Sequence, residues 1–131
     1  MEIKEIKERF FAFRNGIVAH ALREAGMPYT VIFGLQLPQI AEIVREIGVD
    51  HNLAGALWAD RECRESRLLA CRLFDKTLVG KEKAIEMAND ARTREESDIL
   101  SFFLLRHLPF AGEIAEELDG YSREALKRNL E

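Results

Sequence analysis

The sequence predicts an all-α protein, and three observations carry that prediction. Apolar residues recur at spacings of three and four along nearly the whole chain. The segments with that spacing are bounded by helix start and stop signals. The one β-like run, Val31-Ile32-Phe33, has no second run of similar quality to pair with.

The elements follow in order. Ile3, Ile6, Phe10, Phe13 and Ile17 step by three and four, and Val18, Ala21 and Leu22 extend the stripe. This predicts one long first helix, ended by Gly26 and Pro28. Val31 to Phe33 then read as an apolar connector tucked against that helix. Pro38 suits a first helical turn, where its missing N–H costs nothing. The helix it opens carries Ile40, Ile43, Val44 and Ile47 and ends at Gly48. Asp50 caps the next, with Leu53, Ala54, Leu57 and Trp58. A longer helix follows, with Ser66, Leu69, Ala70, Leu73 and Phe74 on one side. Gly80 precedes Ala84, Ile85, Met87 and Ala88. Thr93-Arg94-Glu95-Glu96 has the form of a capping box. It opens a segment, Ile99 to Leu108, that is apolar almost all round and is expected to lie centrally. Pro109 starts another helix with Phe110, Ile114, Ala115 and Leu118 inward, and Ser122 is expected to cap a short last one.

Seven or eight helices of about 10–15 residues leave little room for a sheet. Their short joints suggest antiparallel helix pairs stacked as a short solenoid, although no clean internal repeat is present. A chain of 131 residues suits a single domain over 1–131. An apolar fraction of 47% argues against disorder. With 19 Lys and Arg against 23 Asp and Glu, the net charge of -4 argues against a protein that is basic overall, as a coat for nucleic acid or anionic lipid would be. A local basic face remains compatible with it.

Met1-Glu2-Ile3-Lys4-Glu5 lacks the apolar core of a signal peptide. No stretch approaches ~18 uninterrupted apolar residues, so no membrane span is expected. Cys63 and Cys71 read as residues of one helix, ~12 Å apart at ~1.5 Å per residue. That is beyond the ~7 Å reach of a disulfide. Reduced, small, buried thiols fit a cytoplasmic protein.

The search for chemistry finds little. His20, His51 and His107 are far apart in sequence, and no H-E-x-x-H, C-x-x-C or G-x-S-x-G occurs, so no metal site and no cofactor are expected. Neither G-x-G-x-x-G nor G-x-x-x-x-G-K is present, so Gly34 does not open a phosphate loop. Glu113, Glu116 and Glu117 read as a solvated helix face. The segment from Trp58 to Arg67 is the richest. Its Arg61, Arg64 and Arg67 are candidates for gripping phosphates. Its interleaved acids also allow a salt-bridged surface, with Arg61 and Glu65 four apart on a helix. Trp58 reads as core.

Two stretches then combine. "FGLQLPQIAEIVREIG" has Gly34 between apolar residues, then Pro38 and a helix. "ALWADRECRESRLLACRLF" has Leu57-Trp58 and then Glu65-x-Arg67-x-x-Ala70. In this order and at this distance they resemble the first repeats of the DNA alkylation repair family, the alkylpurine DNA glycosylases built from HEAT-like helix pairs. The similarity covers about residues 5–118, corresponding to about the N-terminal half of a usual member. The resemblance implies a curved helical stack whose basic concave face cradles duplex DNA. It implies hydrolysis of the glycosidic bond of N3- or N7-alkylated purines. In the family an aspartate stabilises the sugar cation that develops, beside tryptophans and an arginine. An alkylated purine is already a cationic leaving group, so an anion near the sugar matters more than a general acid.

Carried onto this chain, the aspartate falls at Asp98, counted from Met87. The family's tryptophan four residues earlier is here Arg94, and no tryptophan follows Trp58. The further tryptophan and the arginine belong to later repeats. Asp98 is equally readable as a first-turn acid favoured by the helix dipole. Two functions remain open. One is a non-catalytic HEAT-like scaffold that binds a protein or DNA, the latter through phosphate contacts from Arg61, Arg64, Arg67, Arg92 and Arg94. The other is a minimal glycosylase acting through Asp98, with a cradle completed by a second chain as a homodimer. The missing aromatic partners and the acidic balance favour the scaffold.

Overall fold

Nine α-helices and two single turns of 3₁₀ helix account for the regular structure, with no strand, in a computed structural model that describes residues Met1–Glu131. The protein is all-α. It divides into two compact units, Met1–Leu73 and Phe74–Glu131.

The first unit holds α1 (Ile3–Ala12), α2 (Gly16–Glu24), α3 (Leu37–Ile47), α4 (His51–Ala59) and α5 (Arg64–Ala70). The long first helix read from the apolar stripe is in fact two. Asn15 makes the break, because its side chain accepts the N–H groups of Ile17 and Val18 at 3.1 Å each and so caps a new helix. Its own N–H donates to the Phe33 carbonyl at 2.8 Å. The spacing could not register this, since the stripe runs on through the corner.

Helix α3 opens as expected, with Pro38 in its first turn, Gln36 and Gln39 exchanging capping bonds, and Gly48 at its end. Asp50 caps α4 by accepting the Leu53 N–H at 3.2 Å. Helix α5 has only seven residues, shorter than the spacing suggested. It packs on α3 and α4, and α1 packs on α4. Ile6, Phe10, Leu35, Ile40, Ile43, Leu57, Leu68 and Leu69 form the buried centre.

Val31 to Phe33 is a connector and not part of a sheet. Val31 donates to Glu62 O at 2.9 Å and accepts from the Arg64 N–H at 3.2 Å, which gives one isolated parallel bridge to Cys63. Cys63 and Cys71 flank α5 rather than sharing its interior, and both are buried free thiols. Burial pushes the Cys63 thiol up, against a weaker opposing effect of its hydrogen bond with Ser66. Neither cysteine should therefore react with a disulfide reagent in the native protein at neutral pH. Both should react on unfolding, and rapid labelling of the native chain would contradict this burial.

The second unit holds the 3₁₀ turn Lys76–Leu78, α6 (Lys81–Asp90), α7 (Arg94–Phe103), the 3₁₀ turn Leu105–His107, α8 (Ala111–Glu117) and α9 (Gly120–Leu130). Helix α9 packs on α7 and α8, and α6 on α8. Met87, Leu100, Leu104, Leu105, Ile114, Leu118, Ala125 and Leu126 fill the centre. The Ile99–Leu108 segment is only partly central, because α7 ends at Phe103 and Phe102 is exposed. The last helix starts two residues before Ser122, which is no cap. Its hydroxyl donates to Ala88 O at 3.0 Å and ties α9 to α6. No helix is long and apolar enough to cross a membrane.

Candidate functional site

The two stretches that carry the family resemblance meet inside the first unit. Glu65, on α5, is fully buried. Its carboxylate accepts the N–H groups of Phe33 at 2.9 Å and Gly34 at 3.1 Å, and the Arg64 guanidinium at 2.7 Å. That guanidinium also donates to Leu35 O at 2.9 Å. Gly34 has a φ of +85°, and a Cβ built there would lie 2.2 Å from Asn15 O and 2.9 Å from Ala19 N. The strand-like run before α3 thus ends in a turn pressed against the α1–α2 corner and clasped by a carboxylate two helices later.

Arg67 completes this interior. It is fully buried, its guanidinium lies 3.5 Å from the centroid of the Trp58 ring, and it donates to Trp58 O at 2.9 Å. The charge is tolerated because the aromatic face and the carbonyl replace its water. Arg64 and Arg67 are therefore structural and leave the set that could touch phosphate. The surface pair of Arg61 and Glu65 does not form either. Arg61 is exposed in the turn before α5, whereas Glu65 points inward.

The residue matched to the family's aspartate lies in the second unit. Thr93 caps α7 by accepting the Glu96 N–H at 3.1 Å, and buried Glu96 accepts the Arg92 N–H at 3.1 Å. Arg92 is half-buried, and Arg94 is the first residue of the helix. Asp98 is the fifth, beyond the first turn, so the helix N-terminus is not what holds it. Its Oδ1 accepts the Tyr121 hydroxyl at 2.8 Å and the Arg128 guanidinium at 3.1 Å, and Arg128 also donates to the Tyr121 oxygen at 2.9 Å. Arg94 lies 4.8 Å and Arg128 5.3 Å from the Tyr121 ring centroid. The hydrogen bond to Tyr121, with the charge of Asp98 adding to it, holds the Arg128 guanidinium above its usual value. Asp98 and Arg128 remain 49% and 59% exposed at their side chains.

Tyr121 and Arg128 were not singled out from the sequence. They come from α9, and only their spacing of seven, which sets both on one helix face, could have linked them. Glu113 and Glu117 are bridged by Lys81 at 3.2 and 3.3 Å, and Glu116 by Lys127 at 3.4 Å, so the acidic face of α8 is salt-bridged as well as solvated. No group of three or more His, Cys, Asp and Glu side chains is arranged to hold a metal ion.

The first unit also carries an open apolar groove. One cleft, of about 570 Å³, is lined by Phe11, Arg14, Gly16, Ala19, Ile32 and Phe33. Another, of about 640 Å³, runs along α1 and shares Phe11 and Phe33. The Phe33 ring is steadied by Phe10 at a centroid distance of 5.6 Å. No family model matches the chain, and no curated protein and no solved structure matches it significantly.

Proposed function

We propose that this chain is a non-catalytic helical scaffold, related to the HEAT-like domains of the DNA alkylation repair glycosylases, that binds a protein partner. The observation that carries this reading is the state of Asp98. Cleavage of an alkylpurine glycosidic bond needs an anion in contact with the nascent sugar cation. Here the same carboxylate oxygen is engaged by a hydroxyl and a guanidinium. A second guanidinium, that of Arg94, stacks on the neighbouring ring. Two positive charges beside a developing oxocarbenium oppose it.

Nucleic-acid binding is the weaker of the two scaffold functions. With Arg64 and Arg67 buried, the candidate phosphate contacts reduce to Arg61, Arg92 and Arg94 on a chain of net charge -4. The contiguous apolar groove around Phe11 and Phe33 has the chemistry of a protein-binding surface.

One observation favours the alternative, a minimal alkylpurine DNA glycosylase acting through Asp98. Tyr121 presents an aromatic ring beside Asp98, where the family uses tryptophan. The Asp98–Arg128 pair is half-exposed and screened by solvent, so a bound sugar could displace it. Release of methylated purines from alkylated DNA separates the two. Neither the wild type nor Asp98→Asn should release 7-methylguanine or 3-methyladenine above the rate of DNA alone. Release by the wild type that is lost in Asp98→Asn would establish the enzyme. Labelled duplex titrated in the same preparation should bind weakly, with a log–log salt slope reduced by about 0.9 for each phosphate contact that is missing.

A further inference from the structure

The two clefts of the first unit meet at one aromatic ridge, since Phe11 and Phe33 line both. Phe11 is 55% exposed there. The charges around the ridge are one-sided. Lys4 belongs to one cleft and Arg14 to the other, about 15 Å apart along the axis of α1. Neither forms an ion pair within the chain. The Arg14 guanidinium donates to Phe11 O at 2.9 Å and lies 3.8 Å from the Phe11 ring centroid. Those contacts fix its position beside the ring and leave its other N–H donors open. No acid lines the cleft that holds Arg14. In the other cleft Lys7 is tied to Asp60 at 3.0 Å, and Glu8 is the one acid of the lining.

We propose that this groove receives an acidic amphipathic helix of a partner protein. The proposal rests on the scaffold reading and adds to it the chemistry of the partner. A helix suits the groove better than an extended segment does. Val31 has both backbone groups bonded to the turn before α5, and Phe33 donates to Glu65 and accepts from Asn15. An extended segment therefore finds no ladder to join along the connector. A helix satisfies its own backbone and offers only side chains. Two apolar side chains of its stripe enter the clefts on the two flanks of Phe11. Carboxylates bordering the stripe meet Lys4 at one end and Arg14 at the other. The Arg14 contact is the more selective, because the Phe11 ring already orients the guanidinium and its open edge suits a carboxylate. A basic helix sets like charge against Arg14 where no acid offsets it.

A displayed library of amphipathic helices of about 16 residues, selected on the full chain, tests this. Its apolar positions repeat at i, i+3, i+4 and i+7, and the bordering positions carry glutamate or lysine at equal frequency. Selection should enrich glutamate over lysine at those borders. The chain as a whole has a net charge of -4, so an excess of glutamate has to come from a local surface. A selected peptide, labelled and titrated in solution, should bind Phe11→Ala about tenfold or more weakly than wild type, as loss of a central apolar anchor does. Lys4→Glu combined with Arg14→Glu should reverse the enrichment to lysine. Circular dichroism of both variants should match the wild type, because Phe11, Lys4 and Arg14 are all exposed. Binders that depend on Phe11 but show no excess of glutamate overturn the acidic helix and leave a protein-binding groove. So do binders whose preference the double reversal leaves unchanged. Binders that ignore Phe11→Ala, or a library from which nothing binds, overturn the groove as a docking site altogether. None of these outcomes depends on the release of methylated purine, which tests the glycosylase.

Discussion

Glu65→Ala is expected to lower the unfolding free energy by about 3–5 kcal/mol, a large part of the 5–15 kcal/mol typical of a domain. The deletion removes the carboxylate that accepts from three donors, the N–H groups of Phe33 and Gly34 and the Arg64 guanidinium. Arg64 would keep Leu35 O but lose the charge of Glu65, beside two backbone donors that lose their carboxylate acceptor. Glu65→Gln is the informative comparison. Its amide keeps the volume and one acceptor, but it turns an N–H₂ toward groups that are themselves donors. It should therefore fall between wild type and Glu65→Ala. Urea denaturation followed by circular dichroism measures both. A midpoint unchanged in Glu65→Ala would mean that the clasp is not what joins the connector to α5.

Gly34→Ala is expected to cost at least ~3 kcal/mol, by a different route. A φ of +85° disfavours any Cβ by about 1–2 kcal/mol. Here the Cβ would also meet the Asn15 carbonyl at 2.2 Å, and that atom is backbone at the cap of α2, not the end of a flexible side chain. Relief requires the α1–α2 corner to move away from the connector, which breaks the bond from Asn15 to Phe33. Gly26→Ala isolates the two contributions. Gly26 has a φ of +95° and open space where its Cβ would go, so it should cost only the backbone part. Equal losses at the two positions would show that the close approach at Gly34 relaxes freely.

These two substitutions also mark the boundary between what was legible in the sequence and what was not. The helical content was legible because periodicity reports burial on one face, whatever that face packs against. Pro38, Gly48, Asp50, Gly80 and Thr93 bounded their helices as read, because these signals are local: Asp50 and Thr93 accept the N–H of a residue three further on, and Pro38 and Gly48 act through their own backbone angles. The absence of a partner strand correctly left Val31 to Phe33 as a connector. Asn15 was missed because a continuous apolar stripe masked a strong local cap.

The roles of the charged residues were decided only in three dimensions. A sequence reading sets arginine and glutamate on the surface, because an isolated buried charge is too costly. Glu65, Arg64 and Arg67 are exceptions only because folding brings backbone donors some thirty residues away, a carbonyl and the Trp58 ring into contact with them. Asp98 likewise acquires Tyr121 and Arg128 from 23 and 30 residues later in the chain. Periodicity and capping are local, with a range of one or two helical turns. Whether a carboxylate is an exposed anion, a clasp or one half of an ion pair depends on atoms that only the packing of helices brings within 3 Å.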